Sequence, residues 1–294
     1  MANAQTSSNP RSLSIIIPAK NEAAAIGDVV GGIVQRYPQA QVIVVDDGSS
    51  DDTASVAQRA GAQVVSHPHS LGNGAAVKAG ARAATGDILV FLDGDGQHNP
   101  ADIPRLLEHM AQGHDMVIGA RASAKSHANL GRLMANGAYN LIASAVTGHQ
   151  IPDLTSGFRA VVAHKFRQYL YLLPNGFSYP TTITMAFMRS GYSVSFIDIQ
   201  AARRIGKSHI RPIRDGLRFL LIIFKIATLY SPLKLFVPTS GLFFLTGVGY
   251  YLYTYIRHHS FTNMSLLLLS AAVIIFLIGL VSEQITTLMY KSDG

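Results

Sequence analysis

Asp93, Asp95 and Gln97 place three oxygen-donor side chains at alternate positions of one short segment, DGDGQHNP. Carboxylate and amide oxygens suit hard divalent cations, and with phosphate substrates in view the expected ion is Mg2+ or Mn2+. The chain has no Cys, which removes thiolate metal sites and disulfides. Such an ion needs only one or two carboxylates, because diphosphate oxygens and water complete its shell. Two more polar clusters precede it, PAKNE from Pro18 to Glu22 and DDGSSDDT from Asp46 to Thr53. Each has an ordinary structural explanation. Asp51 or Asp52 can cap a helix, Pro18 can end a strand, and Asp93-Gly94-Asp95 can be a turn. Leu71-Gly72-Asn73-Gly74-Ala75 opens a helix in the manner of a phosphate-binding turn, although a Gly pair alone is weak support. Lys78, one turn further, either reaches an anion or stays solvated.

The elements that must position these residues alternate along the first half of the chain. LSIIIP from Leu13, QVIVV from Gln41, the short Ala62–Ser66 segment, DILVFL from Asp87 and Met116–Gly119 read as strands. Helices are predicted at 23–37, 52–60, 74–85 and 102–112. Strands apolar on both faces and separated by helices imply a mostly parallel sheet covered on both sides. Ligands of such sheets sit outside the carboxyl ends of the strands. Three polar clusters at successive strand ends therefore converge on one cleft, which no single cluster would establish. Residues 129–200 are mixed, with a helical look over 129–147 and a strand over 192–199.

The net charge of +7 is localised. Residues 1–200 carry 14 basic and 14 acidic side chains, whereas 203–234 hold eight basic residues against Asp215 alone. A basic surplus confined to one segment before an apolar tail points to anionic lipid or phosphate. Nucleic acid is not expected as a partner, since no aromatic-interleaved basic patch accompanies it. Arg211, Arg214, Arg218 and Lys225 share one helical face. An amphipathic helix in the membrane interface fits them; a packed surface helix is the alternative. Leu235–Ile256 is uncharged and reaches roughly 33 Å as a helix, enough to cross a hydrocarbon core. A second uncharged run starts at Met264. The organisation expected is a disordered 1–12, a catalytic domain over 13–208, an amphipathic segment over 209–232 and a transmembrane hairpin over 233–294, with spans at about 235–256 and 264–283. The N-terminus lacks the order of a signal peptide. The basic cluster then places the catalytic domain and both termini in the cytosol, at the inner face of a cytoplasmic membrane, with the 257–263 loop outside.

IIIPAKNE, VVDDGSSDDT, GNGAAVKAG and DGDGQHNP, in this order and spacing, resemble family 2 glycosyltransferases of the GT-A fold. More narrowly they resemble dolichyl- and polyprenyl-phosphate mannose or glucose synthases. The likeness covers about residues 13–210, and the C-terminal hairpin is similar to bacterial members with two spans. The fold implied is an α/β, Rossmann-like GT-A sheet followed by the interface helix and the hairpin. By the same resemblance Pro18, Lys20, Glu22 and Asp47 line the nucleoside pocket, and Asp93, Asp95 and Gln97 match a metal-binding DxDxQ pattern. Arg121, Arg132, Arg203, Lys207 and Ser208 match positions that hold phosphates near the acceptor. Asp153 to Arg159, DLTSGFR, resembles a segment on the acceptor side. Gly94 and Gly96 depart from the bulkier residues common there, which is expected to loosen the loop. The chain has no Trp, so the QxxRW signature of processive family 2 synthases is absent.

The activity implied is inverting transfer of a hexose from a nucleotide-sugar, GDP-mannose or a UDP-sugar, to a polyprenyl phosphate such as undecaprenyl or dolichyl phosphate. A phosphomonoester has a second pKa near ~6, so it arrives ionised and needs no base. The protein has to align it with the anomeric carbon and neutralise the leaving diphosphate. A transferase using a hydroxyl acceptor would instead need a carboxylate base, for which Asp153 is the candidate. A catalytically silent membrane subunit is a third class, against which intact Asp93, Asp95 and Gln97 speak. Homo-oligomerisation is left open.

Overall fold

The structure is a computed structural model, and its described residues are 11–121, 137, 140, 141, 144, 148–176, 178–200, 224, 228 and 230–289. The chain divides into two compact units, Met1–Asn140 with Ile151–Ile210, and Leu141–Gln150 with Arg211–Gly294.

Among the described residues the first unit is built on seven strands: β1 (Leu13–Ala19), β2 (Gln41–Asp46), β3 (Gln63–Ser66), β4 (Ile88–Phe91), β5 (Met116–Arg121), β6 (Arg159–Val162) and β7 (Val194–Ile199). Their spatial order is β3-β2-β1-β4-β6-β5-β7. All neighbours run parallel except β6, which lies antiparallel between β4 and β5. The sheet is thus mostly parallel, as the apolar strand runs imply, with one reversed strand that the sequence pattern did not reveal.

Alternation along the central strands explains the two helical layers. Ile15, Ile17, Val42 and Val44 face one core, where α1 (Ala23–Arg36) buries Ile26, Val30 and Ile33 and α4 (Ile103–Ala111) buries Ile103, Leu106 and Met110. Fully burying each such side chain contributes about 1.5–3 kcal/mol. Ile16 and Val45 face the other side and touch Gly80 of α3 (Asn73–Ala83), where any Cβ would meet them. Phe91 also turns that way, onto Phe166 of the short helix α5 (Ala163–Arg167), with ring centroids 4.8 Å apart. Helix α2 (Thr53–Arg59) and helix α6 (Tyr179–Arg189) complete the layers. Because β6 is reversed, its leading segment 153–158 reaches the edge where the parallel strands end. The expected helix over 129–147 falls almost wholly outside the described residues.

The second unit contains two helices of 27 residues, α7 (Pro232–His258) and α8 (Asn263–Met289). Each is about 40 Å long, more than a hydrocarbon core requires. Their apolar 18-residue stretches have mean hydropathies of 1.4 and 2.8 and are only 11% and 17% buried, unlike core helices of a soluble protein. Small residues recur every seventh position along the seam: Gly247 and Thr254 on α7, and Ser265, Ala272, Gly279 and Thr286 on α8. Small seam residues let helix backbones approach where lipid supplies no hydrophobic force. A Cβ on Gly279 would lie 2.6 Å from that of Phe236. Ser240 Oγ donates to the Ala272 carbonyl at 2.9 Å, and the Leu233 N–H donates to Glu283 at 3.4 Å. The helices extend several residues beyond the uncharged runs, because helix formation does not stop where hydropathy does. The amphipathic segment expected over 209–232 lies mostly outside the described residues.

Candidate active site

The carboxyl ends of β1 and β2 form one interlocked structure. Asn21, with φ at 55°, donates its N–H to Ser49 Oγ and accepts from the Ser50 N–H through Oδ1. The Glu22 N–H donates to Thr53 Oγ1. Asp51 accepts from the Ala23 N–H and from the Thr53 N–H, so one carboxylate satisfies orphan donors at the starts of both α1 and α2. Of the two candidate caps, Asp51 makes these bonds while Asp52 makes no side-chain cap. Pro18 is buried within β1, Lys20 is exposed, and Glu22 is half-buried at the head of α1.

Asp47 is buried and fully engaged. Oδ1 meets His67 Nδ1 at 2.8 Å and the Leu71 N–H at 2.8 Å, while Oδ2 accepts from Ser70 Oγ at 2.7 Å and the Gly72 N–H at 2.9 Å. Burial opposes its charge, but these bonds outweigh it and hold the carboxyl at about 2. Asp47 therefore organises the 67–72 loop, and its nucleoside role would be exercised through that loop.

The Gly72-Asn73-Gly74 turn departs from the expected phosphate cradle. A Cβ on Gly72 or Gly74 would collide with the carbonyl oxygens of Asn175 and Pro174. The Ala75 N–H, which a phosphate could have taken, donates to the Asn175 carbonyl at 3.2 Å. These glycines permit close passage of the 174–176 backbone, and Asn73 between them is half-buried. Lys78 belongs to the same junction: Nζ donates to the Leu173 carbonyl at 3.0 Å and to Asn175 Oδ1 at 2.6 Å. Its ammonium is committed to the protein's own carbonyl oxygens, one of the backbone and one of a side chain.

The chemistry-bearing groups that keep capacity gather where β4 and β5 end. Asp93 follows β4, and its side chain is 38% exposed. Asp95 and Gln97 are half-buried on the next turn, and the Gln97 N–H donates to Asp95 Oδ1 at 3.1 Å. Of the two intervening glycines, Gly94 does not loosen this loop, whereas Gly96 is exposed with φ at 71°. Gly94 is packed so closely that a Cβ would meet Ile26 at 3.2 Å and Ala19 at 3.3 Å. No group of three or more Asp, Glu or His converges as a closed cage among the described residues. An all-oxygen pair with an exposed carboxylate nevertheless fits a divalent cation whose remaining ligands come from a diphosphate and water.

Arg121, the last residue of β5, is clamped by Asp153. Nε donates to Oδ2 at 2.7 Å, Nη2 donates to Oδ1 at 3.1 Å, and Nη2 also reaches Thr155 Oγ1 at 2.6 Å. Asp153 further accepts from the Thr155 N–H at 3.0 Å. Burial raises the Asp153 pKa, but the bonds and charge of Arg121 outweigh it and the net direction is down. Burial likewise works against Arg121, and Asp153 followed by Asp93 reverses it upward. The pair leaves Nη1 of Arg121 uncommitted to Asp153, with the side chain 33% exposed. A carboxylate so held is a poor proton acceptor and a good brace.

Arg159 does not line a cleft. Its side chain is fully buried, and Nη1 donates to the Pro180 carbonyl and Thr184 Oγ1, each at 3.1 Å. Nη2 donates to the Ser156 carbonyl, and the guanidinium carbon lies 5.9 Å from the Tyr179 ring centroid. Arg159 thereby fixes the 153–158 segment from below instead of meeting an acceptor phosphate. That segment brings Gly157 against Asp93, where a Cβ would stand 3.2 Å from Oδ2. Arg132, Arg203, Lys207 and Ser208 lie outside the described residues. His98 and Thr155 are parts of this edge that the sequence reading did not single out. Thr155 stands two residues from Asp153, which is the one local signal that pointed to it.

Comparison with known proteins agrees with this architecture. The profile described as glycosyl transferase family 2 matches residues 14–170, and one described as the GtrB C-terminal hairpin matches residues 231–288. Glycosyltransferase AglJ of Haloferax volcanii is 29% identical over 295 residues, covering 95% of both chains. Undecaprenyl-phosphate 4-deoxy-4-formamido-L-arabinose transferase of Pectobacterium carotovorum is 31% identical over 164 residues, 52% of this chain and 50% of that one. The chain thus spans about half the length of that relative. Among solved structures, glucosyl-3-phosphoglycerate synthase from Mycobacterium tuberculosis, in complex with Mn2+, UDP-glucose and phosphoglyceric acid, superposes with a TM-score of 0.60 at 23% identity, covering 74% of this chain and 80% of that one. That likeness shows the fold alone.

Proposed function

Because the chain belongs to glycosyl transferase family 2, we propose that it transfers a hexose from a nucleotide-sugar to a polyprenyl phosphate, with inversion at the anomeric carbon. The product, a polyprenyl-phospho-sugar, would feed cell-envelope glycan or glycolipid assembly. The observation that carries this reading is the clamp of Asp153 on Arg121, with Nε to Oδ2 at 2.7 Å and Nη2 to Oδ1 at 3.1 Å. It supplies a braced, partly exposed guanidinium for an anion and removes the best candidate for a general base. An acceptor phosphate that is already ionised needs the first and does without the second. The hairpin match and the polyprenyl-phosphate acceptor named for the Pectobacterium relative support the same acceptor class.

Arg121 would hold the acceptor phosphate while one of its oxygens attacks the anomeric carbon. The bond from that carbon to the nucleoside diphosphate then breaks. Asp93, Asp95 and Gln97 would hold Mg2+ or Mn2+. That ion, when bound, neutralises charge on the leaving diphosphate. Lys20 and Glu22 stand at the end of β1, beside the interlocked β1–β2 loops, and would frame the nucleoside. Arg132, Arg203, Lys207 and Ser208 would add to the phosphate contacts.

The test is transfer from radiolabelled UDP- and GDP-sugars by the purified full chain, offered polyprenyl phosphate or the free polyprenol. Product is expected with the phosphate only, and the pH–rate curve should rise with the acceptor's own second ionisation. Asp153→Asn should lower the rate by about tenfold without moving that curve, because the brace is weakened and no base is lost. Transfer to the free alcohol by the wild type, abolished by Asp153→Asn with binding intact, would establish the hydroxyl-acceptor reading instead. The basic segment before the hairpin supports cytosolic placement of the catalytic unit and both termini. A cysteine placed at Ser260 should then react with an impermeant thiol reagent on intact cells, and its protection there would reverse the topology.

A further inference from the structure

His98 is buried, with its side chain only 4% exposed, next to a residue that is not. Its ring stacks on Phe158, with centroids 5.2 Å apart and planes at 15°. Nε2 stands 3.7 Å from Asp93 Oδ2. Nδ1 is buried and has no hydrogen-bond partner among the described residues. A stacking slot of this kind is filled at least cost by an apolar ring, since a buried nitrogen without a partner is unfavourable by about 1–3 kcal/mol. The imidazole has to gain something through its other nitrogen.

The tautomer follows from the same contacts. A proton on Nδ1 would be a buried donor with no acceptor, and it would leave the Nε2 lone pair facing a carboxylate. A proton on Nε2 points an N–H at Asp93 Oδ2 and leaves only an acceptor unpaired. The 3.7 Å gap is longer than a hydrogen bond. Rotation of the partly exposed Asp93 side chain can shorten it, as polar contacts of empty sites commonly tighten on loading. Asp93 also has the backbone of Gly157 against it, close enough that a Cβ would stand 3.2 and 3.3 Å from the two carboxylate oxygens. Phe158, the residue on which His98 stacks, follows directly in the segment that Arg159 ties down from below.

We propose that His98 is a positioning residue that sets the orientation of the Asp93 carboxylate through an Nε2–H contact, so that Asp93 meets a divalent cation preorganised. The inference rests on the reading of Asp93 as a cation ligand. Hydrogen-bonded outer partners of ligating groups are worth about 10–100-fold in metal affinity.

The test uses the full chain in detergent and Mn2+ alone, with binding read from loss of the free-ion EPR signal. His98→Phe keeps the stack on Phe158 and removes the N–H. It should keep or raise the thermal midpoint, since the unpartnered Nδ1 goes with it, and bind Mn2+ at least about tenfold more weakly. His98→Gln, whose amide nitrogen reaches the place of Nε2, should recover most of that loss. His98→Asn, whose amide ends near the place of Nδ1, should not. The Gln and Asn pair decides the matter even if His98→Phe does not fold. Wild-type affinity in His98→Phe, or equal affinities in the Gln and Asn variants, overturns the role of His98 alone. A wild-type chain that binds no Mn2+ overturns the cation reading of Asp93, and this inference with it.

Discussion

The two halves of the sheet's carboxyl edge use the same residue types for different ends. At β1, β2 and β3 the carboxylates of Asp47 and Asp51 are consumed internally. Asp47 takes four polar contacts, from His67, Ser70, Leu71 and Gly72, and Asp51 joins the starts of two helices. At β4, β6 and β5 the charges are braced but not used up. Asp93 is 38% exposed beside His98, and Arg121 is held along one edge of its guanidinium while remaining 33% exposed. Carboxylates with a full set of backbone donors build loops, whereas those held from the side keep capacity for ligands. The two halves should therefore fail differently when mutated, the first in stability and the second in rate.

The largest effect is expected at Asp95. Asp95→Ala removes a hard oxygen ligand from the edge that keeps capacity, and stabilisation of leaving-group charge is worth several kcal/mol. Turnover should fall by about 10²–10³-fold. The thermal midpoint should change little, since Asp95 is half-buried in a loop and accepts the Gln97 N–H within its own turn. Steady-state transfer assays with a parallel thermal melt check both parts. Full activity in Asp95→Ala, or in EDTA, would sink the assignment and merge the two halves.

How much of this was legible beforehand depends on what each residue does. The strands and helices up to residue 121 follow from apolar runs and their punctuation, because a parallel sheet buried on both faces writes itself as continuous Val, Ile and Leu. The convergence of PAKNE, DDGSSDDT and DGDGQ at one edge follows from the topology of such sheets. Helix α6 was not legible. It carries Pro180 at its first turn, the β-branched run Thr181–Thr184 and burial over most of its surface, so it shows neither helical propensity nor an amphipathic period. Strand β6 is four residues long and reversed, and it begins with an arginine. A charged residue that is fully buried, as Arg159 is, has no sequence signal that separates it from a surface ligand. The Gly72-Asn73-Gly74 turn misleads for a related reason: glycine permits close approach of a phosphate and of a backbone alike, and here the 174–176 backbone takes the place.

A smaller and different effect is expected at Asp47, in the half that spends its charges internally. Its carboxyl falls from an ordinary value of 3.8 to about 2. A depressed folded-state pKa adds stability that is fully present above the unfolded value near 4 and is lost as pH falls through about 2. The contribution at neutral pH is about 2 kcal/mol. Asp47→Asn should lower the thermal midpoint at pH 7 by roughly 4–8 °C for a unit of this size. Wild type and variant should converge as the pH is brought from 4 towards 2. Melts across that range supply the measurement. A variant with wild-type stability but a raised donor KM would make Asp47 a direct nucleoside contact and erase the contrast with Asp93.

The finest discrimination comes from Lys78, the one residue whose two sequence readings, anion contact or solvated cation, both differ from what the structure shows. Its ammonium bridges the Leu173 carbonyl at 3.0 Å and Asn175 Oδ1 at 2.6 Å. It thus belongs to the organising half, closing the junction between α3 and the 173–176 backbone. Lys78→Met keeps the aliphatic stem and deletes the two bonds. At a partly exposed site these are worth about 1 kcal/mol together, so the thermal midpoint should drop by roughly 2–4 °C. Because the ammonium is committed to protein oxygens, the donor KM should stay within about twofold of wild type, a change of under 0.5 kcal/mol by the usual conversion. A donor KM raised about tenfold at unchanged stability would mean that Lys78 leaves Asn175 to meet the donor diphosphate. The α3 turn would then belong with Asp93 and Arg121, and the boundary between the two halves would have to be redrawn through β2.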